Sequence, residues 1–176
     1  MSMKNNLKVS HVTYITYLGM MIAVAMILSY VESLVPFYFG APGIKLGLAN
    51  FVMVFMIYQQ NAKEALLINF LRIILVGFLF GNMSSILYSL AGGLLSFIVM
   101  YLSKKMHIFG ICGVSILGGI SHNMGQLVVA MFVVRTFGVA YYLPVLLIGG
   151  LITGLLIGIV TEEILKRIPK RGTQSL

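Results

Sequence analysis

An all-α fold, a polytopic membrane protein built as a six-transmembrane-helix bundle, is what this chain predicts. Three observations carry the prediction: its composition, its division into six apolar runs, and the lopsided placement of its basic residues. Of 176 residues, 60% are hydrophobic and 9% charged, and the mean hydropathy is +1.03, a balance that soluble domains do not show. The net charge of +8 does not point to nucleic acid, because most basic residues fall in connectors and tails, where membrane topology accounts for them. One integral membrane domain over 1–176 is expected, with an N-terminal tail over 1–12 and a basic C-terminal tail over 166–176.

A helix needs about 20 apolar residues to cross about 30 Å of hydrocarbon. Runs of this kind lie at 13–35, 44–58, 64–79, 83–102, 109–134 and 141–165. The second and third are short, and Phe37, Tyr38 and Phe39 just before the second suit an interfacial aromatic anchor. Alternate connectors put Lys4, Lys8, Lys63, Lys104, Lys105, Lys166, Arg167, Lys170 and Arg171 on one side and only Lys45 and Arg135 on the other. That asymmetry predicts a multi-pass protein of the cell membrane with both termini cytoplasmic. Lys4 and Lys8 ahead of an apolar run, with Ala23, Val24 and Ala25 inside it, imitate a signal peptide, but the run continues well past the roughly 7–15 residues of a signal core. It is expected to remain as the first helix.

In that helix Gly19 and Ala23, four apart, form a small-residue stripe in the cytoplasmic half, suited to close approach by another helix. Glu32 and Ser33 end it before Pro36, and Glu32 is the one acidic residue expected on the outer side. The second helix is expected to open with Pro42 and Gly43 as a turn, Lys45 snorkelling outward, Gly47 allowing close backbone approach, and Asn50 one to two turns into the membrane. The third carries Asn69 and Arg72 on adjoining positions of one face. An arginine at a helix centre costs about 2.5–3.5 kcal/mol on insertion scales, so Arg72 should face the interior, either paired with Glu32 or anchoring a ligand.

After Phe80, Gly81 and Asn82, the fourth helix repeats Ser85, Ser89 and Gly93 at four-residue spacing, a packing seam. In the fifth, His122 and Gln126 share a face with Asn123 beside them, near mid-membrane. The sixth repeats Gly150, Gly154 and Gly158 and ends in Glu162, Glu163, Lys166 and Arg167, spaced for i,i+4 pairs. Cys112, the single cysteine, reads as a core thiol. His11 and His107 fall at helix ends, far from His122, so no metal site and no cofactor is expected.

Depth and sidedness together place Glu32, Lys45, Asn50, Asn69, Arg72, His122, Asn123 and Gln126 in the middle or outer half. This one-sided set predicts a pocket open to the outside for a small molecule bearing an anionic group. The chain contains no aspartate and no G-x-x-x-x-G-K-[ST] loop, which argues against an Asp-rich diphosphate synthase site and against ATP hydrolysis. It is not expected to be an enzyme.

The run from Glu32 to Pro36, the segment from Pro42 to Asn50, Leu71–Arg72, Phe80 to Asn82, Ser89 to Ser96, Gly118 to Gln126 and Tyr142 to Pro144 together resemble the family known both as Gx transporter and as heptaprenyl diphosphate synthase component I. The resemblance covers nearly all of the chain beyond about residue 13. That family is in turn similar to the substrate-binding S components of energy-coupling-factor (ECF) transporters. The resemblance implies six helices, an outward pocket, and docking on a coupling subunit, itself driven by separate ATPases, through small residues of the first helix. Gly19 and Ala23 stand at those positions, with glycine where alanine is usual. The other name implies a non-catalytic membrane component of a polyprenyl synthase. Membership in quinone- or flavin-linked electron transfer is a third implication, although the chain carries no haem or iron–sulfur ligation pattern.

Overall fold

The computed structural model describes residues 11–34, 45, 47–59 and 62–168. The tail over 1–10, the aromatic segment Phe37–Phe39, the turn Pro42–Gly43 and the basic residues Lys170 and Arg171 lie outside the described residues. Six α-helices follow in order: α1 (His11–Leu34), α2 (Asn50–Gln59), α3 (Ala62–Phe80), α4 (Met83–Met106), α5 (Ile111–Val134) and α6 (Leu143–Arg167). A short 3₁₀ helix, Phe137–Tyr142, leads into α6.

Local chemistry sets several boundaries. The Asn82 side chain accepts from the Ser85 amide at 2.8 Å and caps α4, satisfying one of the donors that every helix start leaves open. His107 ends α4 and Arg135 ends α5, both in the left-handed region. Thr136 then caps the 3₁₀ helix through Gly138 N at 3.2 Å, and Pro144 sits in the first turn of α6, where its missing N–H is no loss.

By length and composition, α1, α4, α5 and α6 with its preceding 3₁₀ turn can each cross a membrane. α3 has the length but carries Lys63, Glu64 and Arg72. α2 differs from the expected 44–58 run: its ten residues span only about 15 Å at 1.5 Å per residue. Eight of the ten are buried, so α2 is an interior helix and meets little lipid. The other helices pack around it: α1 on α3, α3 on α4, α4 on α5 and α5 on α6, with α2 touching α1, α3, α4, α5 and α6. Among the described residues α1 and α6 do not pack on one another.

The surface is inverted relative to a soluble protein. Phe132 is 78% exposed, Phe137 87% and Tyr141 89%, while Glu32, Asn50, Asn69, Arg72, His122, Asn123 and Gln126 are all buried. Apolar side chains facing outward over most of five helices require hydrocarbon as the solvent, so this is a membrane protein.

The starts of α1, α3 and α5 share one end of the bundle with the finishes of α2, α4 and α6. At this end Tyr14 Oη donates to Glu64 Oε1 at 2.6 Å, and Lys104 Nζ donates to the Ile57 carbonyl while lying 5.0 Å from the Tyr58 ring centre. Glu162–Lys166 and Glu163–Arg167 form the expected i,i+4 pairs at 3.1 and 2.7 Å. Cys112, expected in the core, is half-buried at the start of α5 and donates to Glu162 Oε2 at 3.3 Å. A large apolar core around α2 fills this half. A smaller one, Tyr88, Leu127, Ala130, Val139 and Leu146, closes the opposite end between α4, α5 and α6.

Glycine joins those three helices. A Cβ on Gly119 would stand 2.3 Å from the Gly150 carbonyl oxygen, one on Gly154 2.7 Å from Ile116 Cα, one on Gly158 2.7 Å from Cys112 Cα, and one on Gly125 2.8 Å from the Ala91 carbonyl oxygen. The repeat in α6 therefore packs backbone to backbone on α5, which is the close approach its spacing predicts. Ser96 Oγ adds a bond to the Gly118 carbonyl at 2.8 Å.

Candidate functional site

Between the two apolar cores lies a layer of buried polar side chains, and the stretch leading into α2 organises it. Helix 2 does not begin near residue 44, as the apolar run suggests, because Gly47 adopts a φ of +90°, a conformation that L side chains rarely adopt. The first α2 turns close through Asn50 N to Gly47 O at 2.9 Å and Phe51 N to Leu48 O at 3.1 Å. This places Asn50 at the helix start instead of one to two turns inside it.

The turn aims backbone donors at side chains from other helices. Gly47 N donates to Glu32 Oε1 of α1 at 2.5 Å, and Lys45 N donates to Gln126 Oε1 of α5 at 2.8 Å. Lys45 is half-buried; it is its backbone amide that reaches the interior. Glycine at 47 is also required sterically, since a Cβ there would lie 2.9 Å from Asn50 Nδ2 and 3.0 Å from the His122 ring.

Gln126 and His122, one turn apart on α5, meet at 2.5 Å through Nε2 of each. Because Gln126 Oε1 already accepts from Lys45 N, the amide nitrogen is the group that faces the imidazole and donates to it. His122 Nε2 is then the acceptor, which puts the ring proton on Nδ1. That Nδ1 faces the Gly92 backbone, outside close hydrogen-bonding geometry.

On the other side of Glu32, Arg72 is 4% exposed. Its Nη1 donates to Ser29 Oγ at 3.1 Å and its Nη2 to Asn69 Oδ1 at 2.6 Å. Gly93 of α4 makes room for Asn69, whose Nδ2 would be 2.7 Å from a Cβ at that position. Arg72 and Glu32 attract each other through space but do not form a direct ion pair. Asn69 and Arg72, expected on adjoining positions of one face, thus bond to each other, and Ser29 of α1 is a further partner of Arg72. Ser29 is a residue that sequence reasoning misses, although its place one turn before Glu32 on the same face of α1 was available as a signal.

Seven of the eight expected polar residues belong to this layer. Asn123 points away: its Nδ2 donates to the Leu146 carbonyl of α6 at 2.7 Å. A residue next to His122 on a helix is rotated about 100°, so the two do not share a face. Nor does the layer line an open vestibule among the described residues. The gap beside it, bounded by Ala25, Ala49, Val52, Met53, Ala65, Ile68, Asn69 and Arg72, admits no water-sized sphere.

Close packing leaves hydrogen-bonding capacity unused. Glu32 Oε2, both amide atoms of Asn50 and Arg72 Nε are buried without a hydrogen-bond partner, with the Leu48 amide lying near the Glu32 carboxylate. Each such group costs on the order of 1–3 kcal/mol, so this layer carries a concentrated penalty that a polar guest would relieve. Among the described residues no group of three His, Cys, Asp or Glu gathers to hold a metal ion.

At the outside of α1, Gly19 and Ala23 are both exposed, and a Cβ on Gly19 would meet nothing within 4 Å.

The model of a protein family described as heptaprenyl diphosphate synthase component I matches residues 21–164. No curated protein and no solved structure matches the chain.

Proposed function

The chain belongs to the heptaprenyl diphosphate synthase component I family, and from that premise we propose that it is the membrane-embedded substrate-binding component of an ECF-type uptake transporter. It captures a small anionic or amphipathic molecule from outside the cell membrane and does no chemistry on it. One observation carries this reading: the buried layer around Arg72 holds donors and acceptors that the protein itself leaves without partners. A membrane protein that keeps such groups at mid-depth has a use for them, since polar residues there are expensive. Glu32, Lys45, Asn50, Asn69, Arg72, His122 and Gln126 are the binding residues, and Asn123 supports them by fixing α5 to α6.

In this reading the end of the bundle bearing Lys63, Lys104, Lys105, Lys166 and Arg167 faces the cytoplasm, and the Lys45 end faces outward. Gly19 and Ala23 are exposed in the half of α1 nearer the cytoplasmic end, which suits docking on a coupling subunit that is driven by ATPases.

Co-purification of the tagged protein with co-expressed coupling subunit and ATPases tests the assignment, and ligand uptake that persists without that module would sink it. Ligand capture is tested by thermal-shift screening of riboflavin, naphthoquinone precursors and short prenyl diphosphates, because a molecule that binds the native state alone raises its apparent stability. For a stabilising molecule, Arg72→Ala should weaken binding by about 100-fold, as expected for truncating one member of a buried charged hydrogen-bonding set. Arg72→Gln, which keeps polar contact with Ser29 and Asn69, should bind as poorly yet stay folded. Binding retained in folded Arg72→Gln would make the guanidinium charge a structural element only.

The family's description favours a second reading, a non-catalytic membrane component of a polyprenyl diphosphate synthase. Its discriminator is whether a soluble Asp-rich partner needs this chain to form product.

A further inference from the structure

Resting on the ligand-binding reading of the Arg72 layer, we infer the class of molecule it takes: a monocarboxylate that carries its own hydroxyl, amide or amine donor on a compact apolar body, and not a diphosphate.

Charge is the first argument. The layer holds one buried guanidinium, Arg72, and one buried carboxylate, Glu32, with the half-buried Lys45 beside them. Residues 35–44 and Leu46, which connect α1 to α2, contribute no charged side chain. Arg135, the other basic residue toward this end, is exposed at the finish of α5. The sum is a single positive charge. A monoanion brings it to zero, whereas a diphosphate leaves uncompensated negative charge in a region without water, next to Glu32, where burial of unpaired charge costs several kcal/mol. A bridging cation does not rescue the diphosphate. The chain has four acidic residues and no aspartate, and Glu64, Glu162 and Glu163 stand at the opposite end, leaving Glu32 as the one carboxylate at hand.

Hydrogen bonding is the second argument. Nη1 and Nη2 give one N–H each to Ser29 and Asn69 and Nε has no partner, so the guanidinium keeps donors for one anionic group. The other unused groups are mixed: Asn50 Nδ2 donates, while Glu32 Oε2 and Asn50 Oδ1 accept. A guest composed of acceptors alone would satisfy Arg72 and leave the two acceptors empty. A guest with a carboxylate for Arg72 and an O–H or N–H for Glu32 answers both. Next to Arg72, Ala25, Ala49, Val52, Met53 and Ile68 line the adjoining closed gap, so a guest that opened it would meet apolar walls beside the guanidinium.

Two matched probe pairs test this on the full-length protein in detergent by thermal shift and titration calorimetry. Geranic acid should bind at least about tenfold more tightly than geranyl diphosphate, a difference of about 1.4 kcal/mol. 3-Phenyllactate should exceed 3-phenylpropanoate by about tenfold, the effect of one hydrogen bond to a charged group. Glu32→Gln should remove the second preference and narrow the first. Tighter binding of geranyl diphosphate, or equal binding of the two phenyl acids, would overturn the inference while leaving ligand capture intact. If none of the four shifts the melting point at millimolar concentration while riboflavin or a naphthoquinone precursor does, the inference fails and ligand capture stands; if none of these molecules shifts it, both fail. Should Glu32→Gln not fold, the wild-type comparisons decide alone.

Discussion

The bundle is made of two halves held together by different physics. α4, α5 and α6 meet through glycines at 92, 119, 125, 150, 154 and 158, backbone against backbone, with no room for a methyl group. α1, α2, α3 and the turn at Gly47 meet through an apolar core around α2 and, beside it, through polar side chains and backbone donors, several of which are left unpaired. In hydrocarbon, helices gain nothing from hiding apolar surface, so close packing and hydrogen bonds are the available glue. The first half uses packing and has one low-energy arrangement. The second adds to its apolar core hydrogen bonds with spare capacity, and groups of that kind can exchange a protein partner for a ligand. The contrast teaches which half is wall and which is site: α5 contributes Gly119 to one and His122 to the other.

The largest expected effect breaks the wall. Gly119→Val would drive a side chain into the Gly150 carbonyl, which lies 2.3 Å from the position of the first added carbon. Because the obstacle is backbone, the helices must separate, and we expect a loss of about 3 kcal/mol and a fall of roughly 10 °C in the detergent melting midpoint. A midpoint within 2–3 °C of wild type, roughly the shift that 1 kcal/mol gives, would show that α5 and α6 are not fixed to one another in this way.

How much of this division can be read from the sequence depends on the half. The glycine repeat of α6 and the serine–glycine seam of α4 announce close packing by spacing alone, because a helix presents every fourth residue to one neighbour. Arg72 with Asn69, and His122 with Gln126, are legible for the same reason. Helix 4 runs on through Lys104 and Lys105, which an apolar scan takes for a connector; Lys104 turns back to the Ile57 carbonyl and finishes α2 instead. The entry to α2 is the part that resists reading. Its run of apolar residues has helical composition, and only the φ of Gly47, set by contacts with Glu32 and His122 from distant parts of the chain, delays the helix to Asn50. Asn123 turns from His122 to the Leu146 carbonyl, because adjacency in sequence is not adjacency on a helix face.

A smaller effect sharpens the comparison on the site side. Gly47→Ala requires a rarely adopted backbone conformation and crowds Asn50 and His122, a strain of about 1–2 kcal/mol. The wall does not depend on this turn, so the melting midpoint should fall less than for Gly119→Val. The bond from Gly47 N to Glu32 does depend on it, and affinity for the molecule that stabilises the wild-type protein should fall by about tenfold. An unchanged affinity would separate the turn from the site.

The smallest effect on stability belongs to Gly19, and its value lies in that smallness. Glycine within a helix costs about 1 kcal/mol relative to alanine, so a bare glycine on the outside of α1 needs a reason other than the fold. Internal packing is not that reason, since nothing stands within 4 Å of its added carbon. Gly19→Leu should leave the melting midpoint unchanged or slightly raised while reducing recovery of a coexpressed coupling subunit to background. Full recovery with Gly19→Leu would return this glycine to the lipid-facing surface. Ala23→Leu, one turn away on the same exposed face, should behave alike if the stripe acts as one surface, because a helix that approaches closely is obstructed by either side chain.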